Sequence, residues 1–115
     1  MENEINISTT SYKRCDIVKM VGRVDTYTAP KLQDTLDGLI DDGRFNLIFD
    51  MSEVDFLSSK GLWVLTETQK KCKKLNRGEL VLAHVNERIH DSFKLVGMDG
   101  YFNIFSDITA AVGSF

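Results

Sequence analysis

The chain holds one proline and two cysteines, and it has no low-complexity stretch. With a single Pro in 115 residues and no internal repeat, no linker is visible, and one domain over residues 1–115 is expected. Cys15 and Cys72 lack CxxC spacing, which reads as two buried or half-buried thiols in a reducing cytosol. No apolar run approaches the length of a membrane span. The first residues, Met1-Glu2-Asn3-Glu4, are acidic and polar, unlike a signal peptide. A cytoplasmic protein without membrane insertion is therefore expected. The formal net charge of −3 lacks the basic excess of a general nucleic-acid binder.

Catalytic vocabulary is also scarce. His84 and His90 fall in different elements, and no Cys, Asp or Glu set around them has metal-ligand spacing. His90 reads as a surface residue. There is no GxxxxGK[ST] phosphate loop and no Gly-x-Ser-x-Gly elbow. No catalytic residue, no metal and no cofactor are expected, and the chain reads as a binding module, not an enzyme.

What is present is 43% hydrophobic and 27% charged, the balance of a globular protein with a core. Ile5 to Thr10 alternates as an edge strand, and Ile17 to Val21 follows it across a turn, with Gly22 ending the apolar run. Asp25 and Thr26 offer caps for a helix with Pro30 in its first turn. Leu32, Leu36, Leu39 and Ile40 make its apolar stripe, and Gly43 is placed to stop it. Phe45 to Phe49 is apolar at nearly every position and reads as a central strand. Asp50 closes it as a turn residue.

Ser58 and Ser59 are both candidate N-caps of the next helix. Its expected inner face carries Leu62, Leu65, Gln69, Cys72 and Leu75, flanked by Val64 and Thr68. Lys70, Lys71, Lys73 and Lys74 crowd its end, where positive charge suits the helix dipole; they read as a solvated face. Trp63 lies off the stripe, and either an interface anchor or a partly buried ring fits it. Asn76-Arg77-Gly78 is a turn, and Leu80 to Ala83 a buried strand. Asn86 caps a short helix with Ile89, Phe93 and Val96 inward, ended by Gly97. Tyr101 to Phe105 reads as a last strand, and Ser106 or Asp107 caps a helix with Ile108, Ala111 and Val112. The order β-β-α-β-α-β-α-β-α implies an α/β domain. Its sheet is mostly parallel, with an N-terminal edge strand and about four helices.

The run Asp50-Met51-Ser52-x-Val54-x-Phe56-Leu57-Ser58-Ser59-Lys60-Gly61-Leu62 resembles the signature of the STAS domain. That domain occurs in bacterial anti-sigma factor antagonists and in the cytoplasmic tails of sulfate transporters. Upstream, Val21-Gly22-Arg23-Val24-Asp25-Thr26-Tyr27-Thr28-Ala29 is similar to the family's Gly-x-Leu/Ile-Asp-x-x-x-Ala segment. The sequence departs from the pattern twice: Ser58 stands where the family has Asp, and Lys60 where it has a second Ser or Thr.

The resemblance implies an anti-sigma factor antagonist. Its partner would be an anti-sigma factor that is also a serine kinase. The kinase would phosphorylate Ser59, with Ser58 the alternative if the register is one residue off, and a serine phosphatase would reset the switch. Partner-binding residues would be Asp25, Ser58, Lys60, Gly61 and Trp63. Asp25 keeps a second reading as a cap or turn residue, and Ser59 one as a helix cap. The alternative function is a STAS binding subunit that is not phosphorylated, in a stress-sensing or lipid-transport complex. Phe56 and Leu57 are expected to be mostly buried, fixing the serine turn against the sheet.

Overall fold

Val18, Met20, Leu47, Phe49, Leu80 and Leu82 pack into one core, while Ile17, Ile48, Val81 and Ala83 pack into another. Alternate residues of a strand face opposite sides, so three apolar strands buried on both sides force two layers of cover. The computed structural model describes residues 6–115. Its strands are β1 (Asn6–Ser11), β2 (Asp16–Val24), β3 (Asn46–Asp50), β4 (Val54–Leu57), β5 (Glu79–Ala83) and β6 (Ile104–Phe105). Its helices are α1 (Ala29–Asp41), α2 (Ser59–Lys73), α3 (Glu87–Leu95) and α4 (Ile108–Gly113).

The sheet runs β1-β2-β3-β5-β6. β1 is antiparallel to β2 at the edge, as expected, and the other pairings are parallel. Ile5 and the Met1–Glu4 stretch lie outside the described residues. The larger core takes in Leu32 and Leu36 of α1, Val64, Leu65 and Cys72 of α2, and Ile89 and Phe93 of α3. The smaller one is closed by α4 through Ile108, Ala111 and Val112.

The expected single α/β domain is present, with one strand more than the sequence suggested. Val54–Leu57 is not a plain turn; it is β4, which takes up pairing with β2 where β3 leaves it. β2 accordingly runs past Gly22 to Val24, with a register shift between Gly22 and Arg23. At the other edge, the strand expected from Tyr101 shrinks to Ile104–Phe105.

Short β6 leaves backbone groups of β5 without a strand partner. Leu82 and His84 donate their amides to Asn103 and Phe105. Leu80, two residues earlier on the same side, meets the Gln69 side chain instead, which accepts from its amide at 2.7 Å and donates to its carbonyl at 2.9 Å. Those two hydrogen bonds account for a polar residue 1% exposed on the inner face of α2.

Three expected core residues are outside the core. Leu75 is 72% exposed, because α2 stops at Lys73 and the chain reverses through Leu75 and Asn76, both at positive φ. Val96 is 60% exposed at the C-cap of α3, just before Gly97 at φ +74°. Phe56 is 37% exposed, as described below. Gly43, at φ +82°, ends α1 with its amide on Ile40 while Arg44 bonds Leu39, the crossed pair that only a left-handed residue allows.

Candidate functional site

The carboxyl ends of β2 and β4 hold the two segments that the sequence singled out. The Ser58 amide donates to the Val24 carbonyl at 2.8 Å, tying the entry of α2 to the end of β2. The Asp25 turn therefore begins one residue beyond the atom on which Ser58 is anchored.

Ser58 is the N-cap of α2, with extended backbone and its hydroxyl accepting from the Gly61 amide at 3.1 Å. Ser59 is the first helical residue and is exposed. Its hydroxyl takes part in no hydrogen bond among the described residues. The cap belongs to Ser58 alone, which leaves Ser59 Oγ free at the positive end of the helix dipole.

Gly61 is buried where α2 passes closest to β2. A Cβ there would lie 2.6 Å from Leu57 Cδ1 and 2.7 Å from Val24 Cγ1. Only a residue without a side chain lets the first turn of α2 settle this far onto the sheet.

Asp25 holds the neighbouring turn. Its carboxylate accepts from the amides of Tyr27 and Thr28 at 2.9 and 3.0 Å. The Thr28 hydroxyl accepts from the Asp25 amide at 2.9 Å and donates to the Arg23 carbonyl at 2.7 Å. These bonds, that from the Thr28 amide foremost, hold the Asp25 carboxyl below the usual carboxylate range, with a smaller pull from Arg23 at 3.8 Å. Asp25 is thus a turn residue and a half-exposed member of the serine surface at once. The cap position of α1 itself falls on Thr28, not on Asp25 or Thr26.

Two aromatic rings flank this surface, and each carries a cation. The Arg23 guanidinium lies 4.1 Å from the centroid of Phe56, and Lys60 Nζ lies 4.2 Å from that of Trp63. Phe56 is paired with Arg23 across β2 and β4. Its ring faces outward under that guanidinium, while Leu57, the next residue, packs on the core. Trp63 is 46% exposed, which favours the anchor reading over the buried one. Tyr27, 87% exposed, stands on the Asp25 turn.

Asp25, Ser58, Ser59, Lys60, Gly61 and Trp63 are thus brought to one end of the sheet, as the sequence implied. Arg23 and Tyr27, not singled out in the sequence, lie at the same end, and Phe56, expected inside, is exposed there. The β pairing of Arg23 with Phe56 is the missing signal, and it cannot be seen without β4. No group of His, Cys, Asp and Glu able to hold a metal occurs among the described residues. His84 lines a separate open cleft of about 510 Å³ with Ser52 and Ser106, while His90 is half-buried on α3. Among the described residues no helix is long and apolar enough to cross a membrane.

Residues 6–111 match the sequence profile of the STAS domain. The chain belongs to the STAS domain family. Among its relatives, an anti-sigma-B factor antagonist of Staphylococcus aureus is 29% identical over 100 residues, covering 87% of this chain and 92% of that one. An anti-sigma-F factor antagonist of Mycobacterium tuberculosis is 28% identical over 112 residues, covering 96% and 88%. The crystal structure of an anti-sigma factor antagonist from Mycobacterium paratuberculosis superposes with a TM-score of 0.80 at 26% identity, covering 96% of this chain and 93% of that one. The STAS frame therefore extends over both blocks of the site, Gly22–Ala29 and Asp50–Leu62.

Proposed function

We propose that the protein is an anti-sigma factor antagonist of the cytoplasm. Its partner is an anti-sigma factor with serine kinase activity, which docks on the surface around Ser59. The observation that carries the reading is the division between the two serines: Ser58 does the capping and Ser59 is exposed and unbonded. The relatives' names supply the partner class.

In the unmodified state, Trp63 and Phe56 offer apolar surface, Asp25 a carboxylate, and Lys60 and Arg23 positive charge. Aromatic rings and arginine are what protein interfaces favour at their centres. The kinase transfers the γ-phosphoryl group of ATP to Ser59 Oγ, whose proton is released as ADP leaves. The phosphate adds a charge of about −1.5 to −2. Within α2 this charge is tolerated, because it meets the helix amides and dipole. In the interface it is not, because it must be desolvated against a surface shaped for a neutral hydroxyl. The complex then opens. A serine phosphatase hydrolyses the ester and restores the binding form.

The test is calorimetric titration of the protein with its cognate anti-sigma factor, with ATP and without, followed by intact-mass measurement. Binding without ATP, and release with about 80 Da added at Ser59, is the expected result. Stable binding with no phosphate transferred would overturn the switch. Phosphate on Ser58 would exchange the roles assigned to the two serines.

A further inference from the structure

β1 ends the sheet, and among the described residues no strand pairs with its outer edge. Such an edge presents a row of N–H and C=O groups that another chain can extend, and proteins blunt it with lysine, proline or a bulge. β1, Asn6-Ile7-Ser8-Thr9-Thr10-Ser11, holds no charged residue and no proline, and it pairs with β2 in one unbroken register. Ile7, Thr9 and Thr10 are side chains that favour strands.

The hairpin decides which backbone groups point outward. The Tyr12 amide donates to the Cys15 carbonyl at 2.8 Å, and the register of β1 on β2 continues that pair through Thr10 and Ile17, Ser8 and Lys19, and Asn6 and Val21. Hydrogen-bonded pairs alternate along an antiparallel ladder. Asn6, Ser8 and Thr10 therefore turn their backbone groups to β2, while Ile7, Thr9 and Ser11 turn theirs away from it. The end of this edge is held in place: the Ser11 hydroxyl donates to Asp16 at 2.5 Å, and Arg44 bonds both Asp16 and the Tyr12 carbonyl. Side chains alternate as well. Ile7 packs on the larger core, while Asn6, Ser8, Thr10 and Tyr12 share the other face of the sheet with Val21. Tyr12 and Val21 are both exposed there.

We infer that β1 is a self-association edge, to which a second copy of the chain adds its own β1, antiparallel and centred on Thr9. Ile7 and Ser11 are evenly spaced about Thr9. A two-fold axis through Thr9 thus sets Ile7 of each copy against Ser11 of the other, and Thr9 against Thr9. This register alone matches every outward-facing residue of β1 with another. It sets no charge against a like charge. It also puts Tyr12 of each copy beside Asn6 of the other, in the cross-strand row that ends on Val21, so two exposed apolar side chains gain cover in each copy. A foreign strand would meet the same backbone groups without that match. The contact is short, at the small end of specific interfaces, so the dimer dissociates on dilution.

The test is analytical ultracentrifugation of the full chain from about 5 µM to about 1 mM, with amide hydrogen exchange at both ends of that range. The mass should rise from 13.0 kDa towards twice that value. Protection of the Ile7, Thr9 and Ser11 amides should rise with it, while Ser8 and Thr10 stay protected throughout. Thr9→Pro removes an N–H that β2 does not use, so this variant should fold and remain a monomer. Thr9→Lys sets two ammonium groups against each other across the axis and should weaken association at least about threefold. A constant 13.0 kDa over the whole range, association unchanged in Thr9→Lys, or protection gained at Trp63 or Val96 instead would overturn the edge. Protection of Ile7, Thr9 and Ser11 that arises only on adding an anti-sigma factor would overturn the second copy as its occupant.

Discussion

Lys60 Nζ lies 4.2 Å from the centroid of the Trp63 ring, one turn further along α2 and beside Ser59. The pair keeps a large ring at the surface, 46% exposed, by giving one of its faces a cation. Little of the ring is held by the core, so its removal should scarcely affect the fold. Trp63→Ala should change unfolding free energy by less than about 1 kcal/mol, yet weaken anti-sigma factor binding by at least about 2 kcal/mol, as expected of a central aromatic anchor. Denaturant unfolding and calorimetric titration of the same preparation measure both. Equal binding by wild type and variant would place Trp63 outside the interface.

Ser58 and Ser59 should respond oppositely to the same change. Ser58→Ala removes the oxygen that accepts from the Gly61 amide and should cost about 1 kcal/mol. Ser59→Ala removes an exposed, unbonded hydroxyl and should stay within about 0.5 kcal/mol of the wild type. Ser59→Ala should also abolish phosphate incorporation and keep binding. Melting curves and a kinase assay with ATP separate the two effects, and a stability loss in Ser59→Ala larger than in Ser58→Ala would reverse the assignment of the cap.

Gly61→Ala introduces a Cβ within 2.7 Å of both Leu57 and Val24 side chains. Their methyl groups are packed against the core, so they cannot turn away freely. A destabilisation of about 1–3 kcal/mol is expected. The first turn of α2 should also lift from β2, carrying Ser59 with it, so partner affinity should fall together with stability. Amide exchange at Ser58, whose N–H bonds Val24, reports the lifting directly. Unchanged protection there would mean that the helix absorbs the methyl group without moving.

Asp25 titrates below its ordinary value of 3.8, because the Thr28 and Tyr27 amides bond its ionised form. A folded-state pKa lower than the unfolded one means that ionised Asp25 favours the fold. That contribution is complete above the unfolded value and is lost as pH falls through the folded one. The Asp25 turn should therefore loosen only in acid, below about pH 4. Side-chain carbon shifts of Asp25 against pH should give a midpoint below 3.8, and Asp25→Asn should remove this part of the acid dependence. A midpoint at or above the ordinary value would rule out the bonded carboxylate in solution.

Local chemistry made much of this legible in the sequence. Ser58, Asn86 and Asp107 cap the helices that they precede, because a cap needs only a side-chain oxygen and an amide three residues on. β3 and β5 announce themselves as short apolar runs. β4 does not, because its four residues gain their strand character from Gly22 to Val24, some thirty positions upstream. Phe56 follows from that: its outward direction is set by pairing with Arg23, and an apolar residue beside the motif reads as core until the pairing is known. Leu75 fits the helical spacing of α2 but falls two residues after the helix ends, where the turn around Asn76 and Gly78 outweighs periodicity. Gln69 was placed on the inner face correctly, but its reason for being there depends on how short β6 is.

The separation of Ser58 from Ser59 also bears on turnover in the cell. A group attached to Ser59 would hang from a hydroxyl that the fold does not use, and a phosphate there would meet the positive end of α2, so the marked protein should open to a protease no more often than the unmarked one. The mark would then not shorten the life of the protein that carries it. What such a protein reports is a fraction, set by the rates of adding and removing the mark, and not an abundance set by synthesis and decay.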